Sequence, residues 1–114
     1  MIANTPSPPY YAVIFTSLRT EDDGQQYTVA AQRMVKLASE QSGFLGMESS
    51  REGLGITVSY WDSLESIKNW KMKAEHAAAR ELGREHWYRT FKVRICLVER
   101  DYDWEKKDLT ERPT

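Results

Sequence analysis

Two histidines, four tryptophans and six tyrosines stand in a chain of 114 residues. Their spacing decides what chemistry is open to it. His76 has the strongest claim to a catalytic role, because a neutral imidazole accepts a proton near neutral pH or ligates a haem iron. It falls at the flank of a helical stripe formed by Ile67, Trp70 and Ala74, from which it could reach a cleft beneath that helix. The alternative is a structural histidine bonded to its own helix end or to a carbonyl. Trp61 and Trp70 each offer a broad apolar ring with one N–H donor, suited to stacking a flat polycyclic ligand. Core packing is the competing role for Trp70. Trp87 and Tyr88, with His86 before them, make an aromatic knot whose phenol could donate to a substrate carbonyl or stabilise an enolate. Arg84, Arg89 and Arg94 are nearby cations. Cross-strand pairing with Glu48 or Glu99 is the expectation for Arg94.

Other chemistries lack their residues. A lone histidine with no second ligand at useful spacing makes no zinc site, so no metal is expected. There is no phosphate-cradling glycine loop, nucleophile elbow or paired-carboxylate signature. The formal net charge of -1 gives no broad attraction to nucleic acid or an anionic membrane. Lys68, Lys71 and Lys73 interleave with Glu65 and Glu75 and read as a solvated helix face. The single cysteine, Cys96, excludes an internal disulfide and fits a reducing compartment. No apolar run approaches the roughly 20 residues needed to cross a bilayer. The start of the chain lacks the basic and apolar regions of a signal peptide. A cytoplasmic protein is expected.

These side chains need a frame. Residues 1–9, rich in proline and serine, read as a flexible arm, 10–104 as one domain and 105–114 as a charged tail. Tyr10 to Leu18 alternates as a strand apolar on both faces. Asp22, Asp23 and Gly24 turn the chain. Tyr27, Ala30, Ala31, Met34, Leu37 and Ala38 then keep the period of an amphipathic helix, stopped by Gly43. Phe44 to Arg51 and Ile56 to Trp61 read as a hairpin. Asp62 or Ser63 caps a second helix, which continues towards Gly83. A strand around Phe91, Val93, Ile95 and Leu97 closes the chain. The order β-α-β-β-α-β describes an α+β, ferredoxin-like antiparallel sheet with both helices on one face. The other face is also apolar, and a second copy is its simplest cover, so a homodimer is expected.

Residues along this frame carry a likeness. Gly43-Phe44-Leu45-Gly46-Met47-Glu48, Tyr60-Trp61-Asp62-Ser63 followed by Trp70 and His76, and Gly83-Arg84 with Trp87-Tyr88 resemble blocks of antibiotic biosynthesis monooxygenase domains. So does the closing Val98-Glu99-Arg100-Asp101-Tyr102. The resemblance implies a dimeric α/β barrel with a hollow between sheet and helices in each protomer. It implies a cofactor-independent oxygenase acting on a small aromatic or polyketide-like substrate, with His76 as base or anion partner and Trp61, Trp70, Trp87 and Tyr88 lining the pocket. Two alternatives stand beside it. One is a haem-binding or haem-degrading monooxygenase with His76 on the iron; that branch also uses an asparagine on its first strand, and none lies between Tyr10 and Arg19. The other is a non-enzymatic, dimeric ligand-binding or stress-related domain.

Overall fold

Alternation in the first strand and the helical period that follows it set the local structure. In the computed structural model, which describes residues 1–20, 24–80 and 87–107, they become β1 (Tyr10–Arg19) and α1 (Gly24–Ser39). The turn expected at Asp22 and Asp23 lies outside the described residues. Ala30 and Ala38 are the buried points of the α1 stripe. Gly43 ends this region at φ 86°, a left-handed conformation open to glycine at low cost. Its carbonyl accepts from the Asp62 N–H at 2.9 Å, tying the end of α1 to the start of the second helix.

A hairpin follows, β2 (Phe44–Glu52) and β3 (Leu54–Trp61). The loop is tighter than the sequence suggests: only Gly53, at φ 79°, separates the strands. The second helix is α2 (Leu64–Arg80). Of the two caps the sequence offers, Ser63 is the one that binds a free helical N–H, that of Ser66, at 3.1 Å. Asp62 instead accepts from the Ser66 hydroxyl at 2.7 Å. Beyond Arg80 the expected helical continuation, with Gly83, Arg84 and His86, falls outside the described residues. The last strand, β4, runs Tyr88–Val98. It begins three residues before the apolar alternation declares itself at Phe91.

The four strands form one antiparallel sheet in the order β2-β3-β1-β4, the ferredoxin-like arrangement expected. Register sorts the side chains by face. Tyr11, Val13, Phe15, Ser17 and Arg19 of β1 share the helix side with Trp61, Ser59 and Gly55 of β3. The opposite side carries Ile14, Thr16 and Leu18 beside Val58, Ile56 and Leu54. There Leu18, Leu54 and Ile56 remain 39%, 48% and 41% exposed. At one end of that bare face the leading segment touches the sheet through Ala3 and Thr5. The Ala3 N–H donates to Glu48 at 2.8 Å and the Thr5 hydroxyl to Tyr10 at 3.0 Å.

The sheet order corrects one expectation. Glu48 on β2 and Arg94 on β4 stand on opposite edge strands, so they form no cross-strand pair. Glu48 is held instead by Ala3 and by the Tyr60 hydroxyl at 2.7 Å.

Candidate functional site

The five residues singled out by sequence separate into three places. Trp61 is completely buried. Its indole N–H donates to the Ser59 hydroxyl at 2.9 Å, so its polar atom is satisfied inside the core. Trp70 of α2 stacks on it, ring centroids 5.9 Å apart and planes at 22°. Phe44 meets the same ring edge-on at 5.5 Å. This stack fills the space between α2 and β3 where a hollow was expected. His76 is on α2 but exposed. Trp87 and Tyr88 belong to the other end of the sheet: register sets Trp61 opposite Tyr11 and Tyr88 opposite Arg19, about 26 Å apart along β1 at the rise of a strand.

These positions bear on haem. A macrocycle ligated by His76 and pressed by Trp70 needs an open slot under α2, and the Trp61–Trp70 stack occupies that slot. His76 faces solvent. The described residues therefore do not fit a haem.

At the Tyr88 end, polar and aromatic side chains converge. Arg51 and Gly55 are register partners, as are Gly55 and Ser17. The Arg51 guanidinium crosses Gly55, where any Cβ would strike it, and donates to the Ser17 hydroxyl at 2.7 Å. Ser17 is 2% exposed. One step along the same face of β1, the Arg19 guanidinium lies 3.7 Å from the ring centroid of Tyr27, and that of Arg51 lies 5.7 Å from it. Tyr27 comes from the first turn of α1, and its hydroxyl is 3.2 Å from that of Tyr88. Trp87 and Tyr88 both meet the Tyr27 ring edge-on. Phe15 packs on Tyr88 and stacks on Phe91. Beyond Phe91 the helix side of β4 continues as an apolar shelf of Val93, Ile95 and Leu97, all left exposed.

The electrostatics of the cluster follow from burial. Desolvation, and then the bond to Tyr27, push the Tyr88 hydroxyl far above its ordinary value of 10.0; Arg51 and Arg19 pull the other way. At neutral pH it is a phenol, hence a hydrogen-bond donor and not a base. Two guanidinium groups stand beside it, and no carboxylate among the described residues pairs with either.

The sequence singles out Trp87 and Tyr88 of this cluster but not Ser17, Arg19, Tyr27 or Arg51. Tyr27 reads as part of the helix stripe, and the two arginines stand at or near the ends of their strands without any motif. The signal that could have found them is register: a glycine on β3 between an arginine and a serine on its neighbours opens a path across the sheet.

Grooves lie elsewhere. One of about 580 Å³ separates the end of α1 from the start of α2 and is lined by Glu40, Gln41, Ser63, Ser66, Asn69 and Lys73, among others. A smaller one of about 250 Å³ runs between the helices past Arg33, Met34 and Ala77. Neither is lined by any of the five residues. Among the described residues no group of three or more His, Cys, Asp or Glu could hold a metal ion.

Comparison with known proteins gives three results. Residues 9–82 match the family model described as antibiotic biosynthesis monooxygenase. An uncharacterized Bacillus subtilis protein, YqjZ, is 54% identical over 101 residues, which cover 87% of this chain and 88% of that one. Among solved structures, SnoaB, a cofactor-independent oxygenase from Streptomyces nogalater, superposes with a TM-score of 0.59 at 8% identity, covering 87% of this chain and 100% of its own. A Nitrosomonas europaea protein of unknown function superposes at 0.65, also at 8% identity, covering 86% and 97%. At such identities the structural likeness speaks for the fold.

Proposed function

The chain belongs to the antibiotic biosynthesis monooxygenase family, and from that premise we propose that it is a cofactor-independent monooxygenase of a small aromatic substrate, with its site at the Tyr27–Tyr88 end of the sheet. The observation that carries this reading is the neutral Tyr88 phenol set among Tyr27, Trp87, Phe15 and Phe91 and beside two arginines. The aromatic body of the substrate lies on the shelf that runs from Phe91 along β4. Its carbonyl oxygen is directed to the Tyr88 hydroxyl.

The chemistry fits an activated methylene flanked by aromatic rings and a carbonyl. Loss of one proton to water gives an enolate, whose oxyanion is held by the Tyr88 O–H and the neighbouring guanidinium charge. The carbanion carbon gives an electron pair to O₂, forming a C–O bond and a peroxide anion that takes up a proton. Cleavage of the O–O bond, with loss of the remaining C–H proton, releases water and leaves a ketone. The balance is CH₂ plus O₂ giving C=O plus H₂O, with one oxygen atom retained and no external reductant. The protein supplies orientation, a dry surface and anion stabilisation. The likeness to SnoaB supports the absence of a cofactor.

In this reading Trp87 and Tyr88 contact substrate, while Trp61 and Trp70 hold the core. His76, favoured by sequence as the base, stands outside the cluster. An oxygen electrode separates the two assignments with an anthrone-type substrate. Tyr88→Phe should lower kcat/KM by about a hundredfold, the scale of losing one oxyanion donor. His76→Ala should keep more than about half of the rate, since an exposed side chain outside the cluster contributes no proton transfer. Activity lost in the histidine variant and retained in the tyrosine variant would return the site to α2. Absence of oxygen uptake across a panel of phenols and anthrones would end the oxygenase reading.

The same proposal includes a homodimer formed through the bare sheet face, and a cytoplasmic location. Support for the dimer lies in the contiguous exposure of Leu18, Leu54 and Ile56. No described helix is long and apolar enough to cross a membrane.

A further inference from the structure

The two arginines exceed what a single enolate requires. Arg19 and Arg51 approach one aromatic ring, from β1 and from β2, and both charges bear on the Tyr88 hydroxyl. Like charges gathered over a partly buried surface repel, and the arrangement costs free energy unless an anion joins it. Among the described residues no carboxylate does. The Arg19 Nε is buried and has no hydrogen-bond partner, an arrangement that costs free energy in the empty site. Arg51 uses Nη2 on Ser17 and reaches the Gly53 carbonyl with Nη1 at 3.5 Å, a weak contact. Both forks thus retain donor capacity. The guanidinium of Arg51 reaches this point only because Gly55 has no side chain beneath it.

We propose that Arg19 and Arg51 form an anion clamp, and that the ligand of this site is an aromatic carboxylate. Planar guanidinium groups match a carboxylate in shape and charge and hold it through paired hydrogen bonds. The Tyr27 ring, which both guanidinium groups approach, places the carboxylate at the polar end of the cluster, with the aromatic body extending over Phe91 onto the β4 shelf. This inference rests on the site assignment made above and adds to it the substrate class: aromatic acids, selected over neutral aromatics of the same shape.

Binding of naphthoate and of naphthamide to the full chain tests it, by calorimetry in low salt, because the two probes share a ring system and differ in charge. Naphthoate should bind about tenfold more tightly, the order expected for a charge-assisted contact at a half-buried site. Added salt should narrow the gap. Arg51→Gln and Arg19→Gln should each bring the two affinities to within about twofold. Arg51→Lys, which keeps the charge and loses the fork, should fall between. Gly55→Ala, which displaces Arg51 while leaving it in the chain, should behave like Arg51→Gln, with circular dichroism verifying the fold. Equal affinity for the two probes, or binding of neither, overturns the clamp. So does a fall in melting temperature in the arginine variants with the preference for naphthoate unchanged, since the arginines would then serve the fold and not a ligand. The clamp and the oxygenase reading fail separately. Arginine-dependent preference without oxygen uptake removes the oxygenase; oxygen uptake on neutral aromatics without that preference removes the clamp.

Discussion

Single residues show how environment assigns a role that side-chain type leaves open. Trp61 and Trp87 are the same amino acid, both buried, yet one closes the core under α2 and the other borders the tyrosine cluster. Trp61→Ala removes the ring on which Trp70 and Phe44 pack and strands the Ser59 hydroxyl. It should cost about 3–5 kcal/mol, measured as a lower urea midpoint at unchanged m-value. Glu48 gives a pH test. The Ala3 N–H, and then the Tyr60 hydroxyl, hold its carboxyl below its ordinary value of 4.5. A depressed folded value means the carboxylate's contribution is present above about pH 4.5 and is lost as pH falls through the folded value. The protection factor of the Ala3 amide, the exchange rate corrected for its intrinsic pH dependence, should therefore fall in acid. In Glu48→Gln it should already be low at pH 7 and show no further step of this origin. Tyr60 moves the opposite way: burial, then the bond to Glu48, push it up to about 12. The contribution of its protonated form is present below pH 10 and lost as pH rises through 12.

Elements act by bringing distant residues into one row. β1 is central, with β3 on one side and β4 on the other. A single register therefore aligns Arg51, Gly55, Ser17 and Phe91 across four strands. A shift of one residue would send Ser17 and Arg19 to the opposite face. α1 contributes Tyr27 from its first turn, so the cluster depends on how that helix begins. α2 starts from a cap that the sequence names as one of two. Ser63→Ala, which removes the acceptor for the Ser66 N–H, should lower stability by about 1 kcal/mol, read in thermal unfolding. Because α2 anchors the Trp61–Trp70 stack and not the arginine row, this loss should leave aromatic-acid binding unchanged.

At the scale of the whole molecule, the face away from the helices has a charge order as well as an apolar centre. Glu48 and Glu52 lie along β2, and Lys92 and Arg94 along β4, at opposite edges of that face. A two-fold axis parallel to the strands would set the acidic edge of one copy against the basic edge of the other and bury Leu18, Leu54 and Ile56 between them. Sedimentation at micromolar concentration should give twice the chain mass. Ile56→Asp should give the single-chain mass, and a wild-type monomer would remove the face-to-face pairing. Lys92→Glu with Arg94→Glu should weaken the dimer more in low salt than in high salt.

The element order, the antiparallel α+β fold and the double-faced apolar character of the sheet are legible in the chain, because periods of two and of 3.6 residues are written locally. Trp87 and Tyr88 stand out there too, as adjacent aromatics. Which of these residues meet depends on the packing of the elements. Trp61, Trp70 and His76 looked like one constellation because they stand on adjacent elements, but the first two close on each other and the third turns outward. Arg19 and Arg51 are 32 positions apart in the chain and carry no motif. They converge on Tyr27 because strand pairing sets them on the helix side of the sheet at its Tyr88 end and because Gly55 leaves room for a guanidinium to cross. Proximity of that kind is a property of register and of an absent side chain, and neither has a local signature.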